Sequence, residues 1–300
     1  MARGAAPAAA LCPGRAPRDH SARSDADRRV PGTAVARRLV VAKVDYDRGL
    51  YRAYHAGRAL SADTGRRWMD AIAAHLAAAR AGLRILDLGA GTGRFAGLLA
   101  DAFDTSVVAV EPSEKMREEA LRHRAHPRVA YRDGAASAIP AADAEFDFAF
   151  LSMVIHHVRN VAACARELHR VVKPDGLVFI RNVFSGRLDS VRYYEFFPSA
   201  RAIDEARLST VDGVRDAFVA SGFTEVALDS IEQQIDPSLQ AHYERIERRA
   251  LSTFELLTDA EFHDGLERMR RAVELEATAA PVIERVELLV LRRQRGGGAP

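Results

Sequence analysis

Residues 84–94 read Arg-Ile-Leu-Asp-Leu-Gly-Ala-Gly-Thr-Gly-Arg, an apolar run that enters three glycines at alternate positions. Glycine tolerates positive φ and lets the backbone come close to a ligand. A helical pattern follows at once, and the amino end of a helix presents N–H groups with no partner inside the helix. Strand, glycine turn and helix in that order open an α/β sheet whose ligands bind beyond the carboxyl ends of its strands. The chain is thereby restricted to such a sheet, with a ligand crevice expected at Gly89, Ala90, Gly91 and Gly93 and an acidic residue, Asp87, just before them.

The rest of the chain keeps that rhythm. Apolar runs predict strands at Arg84–Leu88, Val107–Val110, Arg128–Tyr131, Phe146–Leu151, Leu177–Arg181, Thr224–Ile231 and Glu284–Leu291. Amphipathic spacing predicts helices near 61–80, 93–102, 114–124, 160–172, 211–221 and 238–279. In the first of these, Ser61 is a candidate cap, and Trp68, Ile72 and Leu76 share one face. Alternation of this kind gives a mostly parallel sheet covered by helices on both faces. Helices near 238–279 separate the last two strands, and the run Glu284–Leu291, with no further helix after it, is expected as an antiparallel edge.

Composition narrows the classes. The formal net charge is +2, but residues 1–42 carry eight arginines and three aspartates, so the remainder is mildly acidic. Bulk charge gives no reason to expect a nucleic-acid partner. Residues 1–42 show no apolar period and are expected to be disordered, since they cannot bury enough surface to offset chain entropy. Ala8–Leu11 is too short for a signal peptide, and Asp19, Asp25 and Asp27 oppose an organelle transit peptide. The other reading is a chain start assigned upstream of the natural one. The tail from 294 to 300 is expected to be loose. Cys12 and Cys164 are far apart and lie in no metal-ligand spacing, which fits a reducing cytoplasm without disulfide or zinc. No apolar run has the length of a membrane span.

The glycine spacing separates possible ligands. Dinucleotide sites use Gly-x-Gly-x-x-Gly, whereas here the pattern is Gly89-x-Gly91-x-Gly93. The second strand ends in Val-Ala-Val-Glu111-Pro112-Ser, and a carboxylate there can accept from a ribose diol. Then come Arg132-Asp133-Gly134-Ala135, Ile139-Pro140, Phe146-Asp147, Leu151-Ser-Met-Val-Ile-His-His-Val158 and Leu168-x-Arg170-Val-Val-Lys-Pro-Asp-Gly-Leu177. This ordered set resembles the class I S-adenosylmethionine-dependent methyltransferases, in their small-molecule branch. The resemblance implies a Rossmann-like, seven-stranded, mostly parallel sheet with a final antiparallel edge strand. It implies S-adenosyl-L-methionine as cofactor: Asp87, Gly89, Gly91 and Gly93 at its methionine end, Glu111 at the ribose, Asp133 and Gly134 at the adenine. Ala90, Pro112, Ala135 and Ser152 lie in the same motifs and are expected to contact it. Met116 packs near the adenine or is an ordinary core methionine.

On that reading residues 43–293 are one domain, with a cofactor-binding core at 82–182 and lid or acceptor elements at 44–60 and 183–280. Residues 45–58 carry tyrosines and arginines, and relatives of this kind close a similar segment over the cofactor. Tyr54 would then lie near the sulfonium and Arg58 would fork to the methionine carboxylate. A solvated surface helix is the alternative. His156 and His157 follow the fourth strand and are candidate bases for an acceptor that must lose a proton, or simply orient their loop. The aromatics of Arg192-Tyr-Tyr-Glu-Phe-Phe-Pro198 either line an apolar acceptor pocket, or Phe196 and Phe197 pack the lid onto the domain. No metal site is apparent. The expected partner is a small-molecule methyl acceptor, with no nucleic acid or membrane, in a monomer or homodimer. Two rival functions stand beside this one: a cofactor-binding regulator or partner subunit without turnover, and a nucleotide-cofactor oxidoreductase.

Overall fold

The computed structural model describes residues 60–76, 82–249 and 251–295. Seven strands form one sheet: β1 (Arg84–Leu88), β2 (Ser106–Val110), β3 (Val129–Arg132), β4 (Phe146–Ser152), β5 (Val172–Asn182), β6 (Phe223–Asp236) and β7 (Val282–Arg293). Their spatial order is β3-β2-β1-β4-β5-β7-β6. The first five pair parallel, whereas β7 is antiparallel to both β5 and β6. The order reverses between β1 and β4, which opens a crevice beyond their carboxyl ends.

The reversed sense of β7 is as expected, but its place is not. It lies one position in from the edge, and β6 is the edge strand. The physical reason is legible in the burial. Val286 to Leu291 are buried without interruption, as a strand covered on both faces must be. In contrast, β6 mixes buried with exposed positions and carries Glu225, Glu232 and Gln234.

The helices are α1 (Ala62–Ala74), α2 (Ala96–Ala102), α3 (Glu114–Arg124), α4 (Val161–Val171), α5 (Pro198–Arg207), α6 (Val211–Val219), α7 (Leu239–Glu247) and α8 (Asp259–Leu275). Ser61 caps α1 by accepting from the Thr64 N–H. The stretch expected as helix over 238–279 divides in two, because Thr258 and Glu261 form a reciprocal capping box that starts α8 afresh. Helix α5 was not anticipated, although Pro198 at its first turn is a recognisable start signal. Residues 1–42, the tail beyond 295 and the proposed lid with Tyr54 and Arg58 lie outside the described residues.

Helices on the two faces of the sheet bury separate apolar layers. One holds Leu86, Leu151, Leu168 and Phe218; the other holds Trp68, Ile85, Phe148 and Phe179. In the second layer Phe103, Phe148 and Phe179 meet edge to face at 5.5 and 5.4 Å, each such pair adding about 0.5–1.5 kcal/mol beyond its burial. A third cluster, around Phe197, Phe254 and Phe262, joins α5, α7 and α8. At the amino ends of the strands Asp147 accepts from the Arg84 N–H at 2.7 Å and pairs with Lys173 at 2.8 Å. It thus ties β1, β4 and β5 on the side away from the crevice. Among the described residues no helix is long and apolar enough to cross a membrane.

Candidate cofactor and acceptor site

The glycine loop sits where β1 meets the crevice, and its glycines are required for different reasons. All three have positive φ, +73° at Gly89, +56° at Gly91 and +74° at Gly93. A Cβ on Gly89 would lie 2.4 Å from Val154 Cγ2, and one on Gly93 would lie 2.0 Å from the Tyr131 hydroxyl. At Gly91 a Cβ would meet nothing within 4 Å. Gly91 borders a cavity of about 520 Å³. Gly93→Ala should therefore destabilise the fold by about 2–5 kcal/mol, combining a left-handed backbone with overpacking. Gly91→Ala should cost only the backbone part, about 1–2 kcal/mol. Thermal melts of the two variants, compared at one pH, check the difference.

That cavity brings together residues from the carboxyl ends of β1, β2 and β4 and the loop after β3. Its wall includes Gly89, Gly91, Glu111, Pro112 and Met116 on one side, and Gly134, Ala135, Ser152 and His157 on the other. Glu111 accepts from the Gly91 N–H and the Ser113 N–H, each at 3.0 Å. A carboxylate has about four lone-pair sites, and these two bonds orient it at the strand end. Met116 is 3% exposed and still borders the cavity, so it belongs to the core and to the wall at once. Gly134 lets its loop pass Pro140 and Val110, which a Cβ would meet at 2.5 and 2.9 Å.

Other residues expected at the cofactor do not line this cavity. Asp133 is exposed and ion-paired to Arg117 at 3.0 Å, and that arginine also donates to the Glu111 carbonyl at 2.6 Å. Gly93 and Ala90 shape the turn, through a hydrogen bond from the Gly93 N–H to the Ala90 carbonyl at 2.9 Å, and do not form the wall. Asp87 is buried under the loop at 2% exposure, and its Oδ2 has no hydrogen-bond partner among the described residues. Burial, and next the charge of Glu111, push the Asp87 carboxyl up to about 7, with Arg94 pulling the other way. Burial likewise raises the neighbouring Tyr131 hydroxyl to about 12.

A second cavity, of about 260 Å³, adjoins the first, and Met153 belongs to both walls. Met153 has φ +56°, a strained conformation for a side chain of its size. The two histidines part here: His156 lines the smaller cavity and His157 the larger. Their rings are 4.0 Å apart. His156 Nδ1 is 3.0 Å from Asn182 Oδ1.

The smaller cavity is more polar than the sequence suggests. Phe196 and Phe197 are buried in the third core cluster and take no part in its wall, so the packing reading holds for both. Tyr193 and Tyr194 do reach it, and both hydroxyls donate to Asp204, at 3.1 and 2.7 Å. Arg207 pairs with the same carboxylate at 2.7 Å. Arg181, 3% exposed, stacks on Trp68 at 4.5 Å and donates to Gln233 at 2.8 Å and Ser152 at 3.2 Å. Sequence reading missed Arg181, Asn182, Gln233 and Met153. The available signal was two polar residues, Arg181 and Asn182, directly after the apolar run Leu177–Ile180. Among the described residues no group of three His, Cys, Asp or Glu is placed to hold a metal ion.

Residues 86–180 match the family described as Methyltransferase domain. This segment, about a third of the chain, is similar to the methyltransferase domains of that family. The chain is 40% identical over 101 residues to a ubiquinone/menaquinone biosynthesis C-methyltransferase of Rubrivivax gelatinosus, covering 34% of this chain and 39% of that protein. It is 31% identical over 153 residues to a malonyl-[acyl-carrier protein] O-methyltransferase of Methylococcus capsulatus, covering 49% and 54%. The matches thus span roughly two fifths to one half of these relatives' lengths. A Haemonchus contortus phosphoethanolamine N-methyltransferase solved with S-adenosyl-L-methionine shares the fold at a TM-score of 0.54 and 20% identity, covering 83% of this chain and 59% of that one.

Proposed function

We propose that the chain is an S-adenosylmethionine-dependent methyltransferase whose acceptor is a small polar molecule that loses a proton as it is methylated. The observation that carries this reading is the pair of cavities meeting at Met153, one walled by the glycine loop and Glu111, the other by His156. The described residues suit the cofactor. A carboxylate fixed at the end of β2 suits hydroxyl donors, the apolar Met116 suits a flat ring, and the orphan Asp87 Oδ2 suits a cationic group.

When bound, S-adenosylmethionine supplies an electrophilic methyl group. Alignment of acceptor and methyl is the main demand of such a displacement, and the shared wall at Met153 favours it. Met153, with its strained backbone, borders both chambers. His156 takes up the acceptor's proton, while His157 contributes to the cofactor wall. Arg181, Gln233 and the tyrosine pair orient polar groups of the acceptor. With such a lining, a small polar acceptor fits better than a long apolar tail. Elements within 183–280 supply most of that wall, which supports reading them as the acceptor elements.

Two measurements test the reading. Calorimetry should show S-adenosylhomocysteine binding and no binding of NAD. Incubation with methyl-labelled S-adenosylmethionine and fractionated small-molecule extracts should label a polar metabolite. Binding without transfer to any fraction would favour the regulator reading instead.

A further inference from the structure

We infer that Asn182 is a positioning residue that locks His156 in the Nδ1–H tautomer. The inference rests on His156 serving as the proton acceptor and names what holds it ready.

Asn182 ends β5 and is fully buried. Its amide has two chemically different ends, and the surroundings fix which end points where. The Nδ2 group donates to the Val183 carbonyl at 2.6 Å. A carbonyl oxygen only accepts, so the amide cannot be turned round without opposing two acceptors. Oδ1 must then face His156 Nδ1, at 3.0 Å. An amide oxygen also only accepts, so Nδ1 must carry the hydrogen. A neutral imidazole carries one ring hydrogen, and the lone pair therefore falls on Nε2.

The placement of the ring makes this tautomer useful. His156 lies in a single 3-10 turn, Ile155–His157, at the wall of the acceptor cavity. A short turn holds a side chain less firmly than a long helix. The anchor comes from β5, which is hydrogen-bonded on both sides, to β4 and to β7. The ring is thus referenced to the sheet interior, where Asn182 is in register with Glu287. Charged or titratable groups near the ring or along the same cavity are His157, Arg94, Arg181, Tyr193, Tyr194, Asp204, Arg207, Asp236, Arg245 and Glu284. Asn182 acts on the tautomer directly, through its contact with Nδ1.

The test needs no methyl acceptor. Long-range ¹H–¹⁵N spectra of the full chain, with His156→Gln identifying the signal by its loss, report the tautomer. The wild type should show His156 with a protonated Nδ1 and an unprotonated Nε2 at pH 8. Asn182→Leu should shift it to a mixture. Asn182→Asp should restore Nδ1–H and raise the pH at which His156 titrates by about one unit, through the added negative charge. S-adenosylhomocysteine affinity serves as the check that the variants are folded. A wild-type spectrum showing Nε2–H would overturn the inference even if every variant failed to fold, as would an unchanged tautomer in a folded Asn182→Leu. Because the readout is the ring itself, its failure is separate from that of the methyltransferase reading, which labelled transfer decides.

Discussion

His156→Gln is expected to lower the rate of methyl transfer by roughly 10²- to 10⁴-fold, the usual worth of a positioned base, and to leave S-adenosylhomocysteine affinity within about a factor of two. The split follows from the walls. His156 lines the smaller cavity, proposed for the acceptor, and His157 the larger, proposed for the cofactor, so His157→Gln should act chiefly on cofactor affinity. The decisive measurement is the pH dependence of kcat for whichever acceptor the labelling experiment reveals. In the wild type the rate should fall at acid pH as the imidazole is protonated, and that limb should vanish in His156→Gln. A profile unchanged by either substitution would remove histidine from the chemistry.

Asp87→Asn should flatten the dependence of stability on pH. The Asp87 carboxyl is raised by burial, then by Glu111, to about 7 in the folded chain, against an ordinary value of 3.8. The protonated form is therefore the one the fold prefers. Its stabilising contribution is complete below pH 4, declines as pH rises, and is gone above pH 7. The displacement corresponds to roughly 4 kcal/mol, an upper-end figure for a single carboxyl. Urea titrations of the cofactor-free protein at pH 5 and pH 8 should show the wild type markedly weaker at pH 8. The asparagine variant should differ much less between the two. Equal slopes with pH in both proteins would show that Asp87 ionises without strain.

The cofactor half of this site was far more legible in the sequence than the acceptor half. Gly89, Gly91, Glu111 and Gly134 reveal themselves because their task is backbone geometry and a strand-end carboxylate, both written in local spacing. The smaller cavity, proposed for the acceptor, is assembled from residues as far apart as Thr64, Met153, Arg181, Gln233 and Glu284, and no local pattern joins them. The aromatic run 193–197 shows the difficulty well. Its four rings look alike in sequence, yet two hydroxyls turn toward Asp204 and two phenylalanines turn into the core. Likewise the strands could be read from apolar runs, whereas the place of β7 depends on which neighbours cover it. Its unbroken apolar stretch from Leu288 to Leu291 held that information.

The position of β7 also orders events during synthesis. It pairs with β5 on one flank and β6 on the other, so until residue 293 has left the ribosome both flanks lack their partner. The nascent chain can assemble β1 to β5 early, from parallel units with nearby contacts, while β6 waits beside an open sheet. Glu284 and Val286 of the same late strand complete the wall of the smaller cavity. A translating ribosome would therefore carry a formed glycine-loop chamber before the smaller chamber exists, and a pause before β7 emerges would expose the unpaired flank of β5 to chaperones.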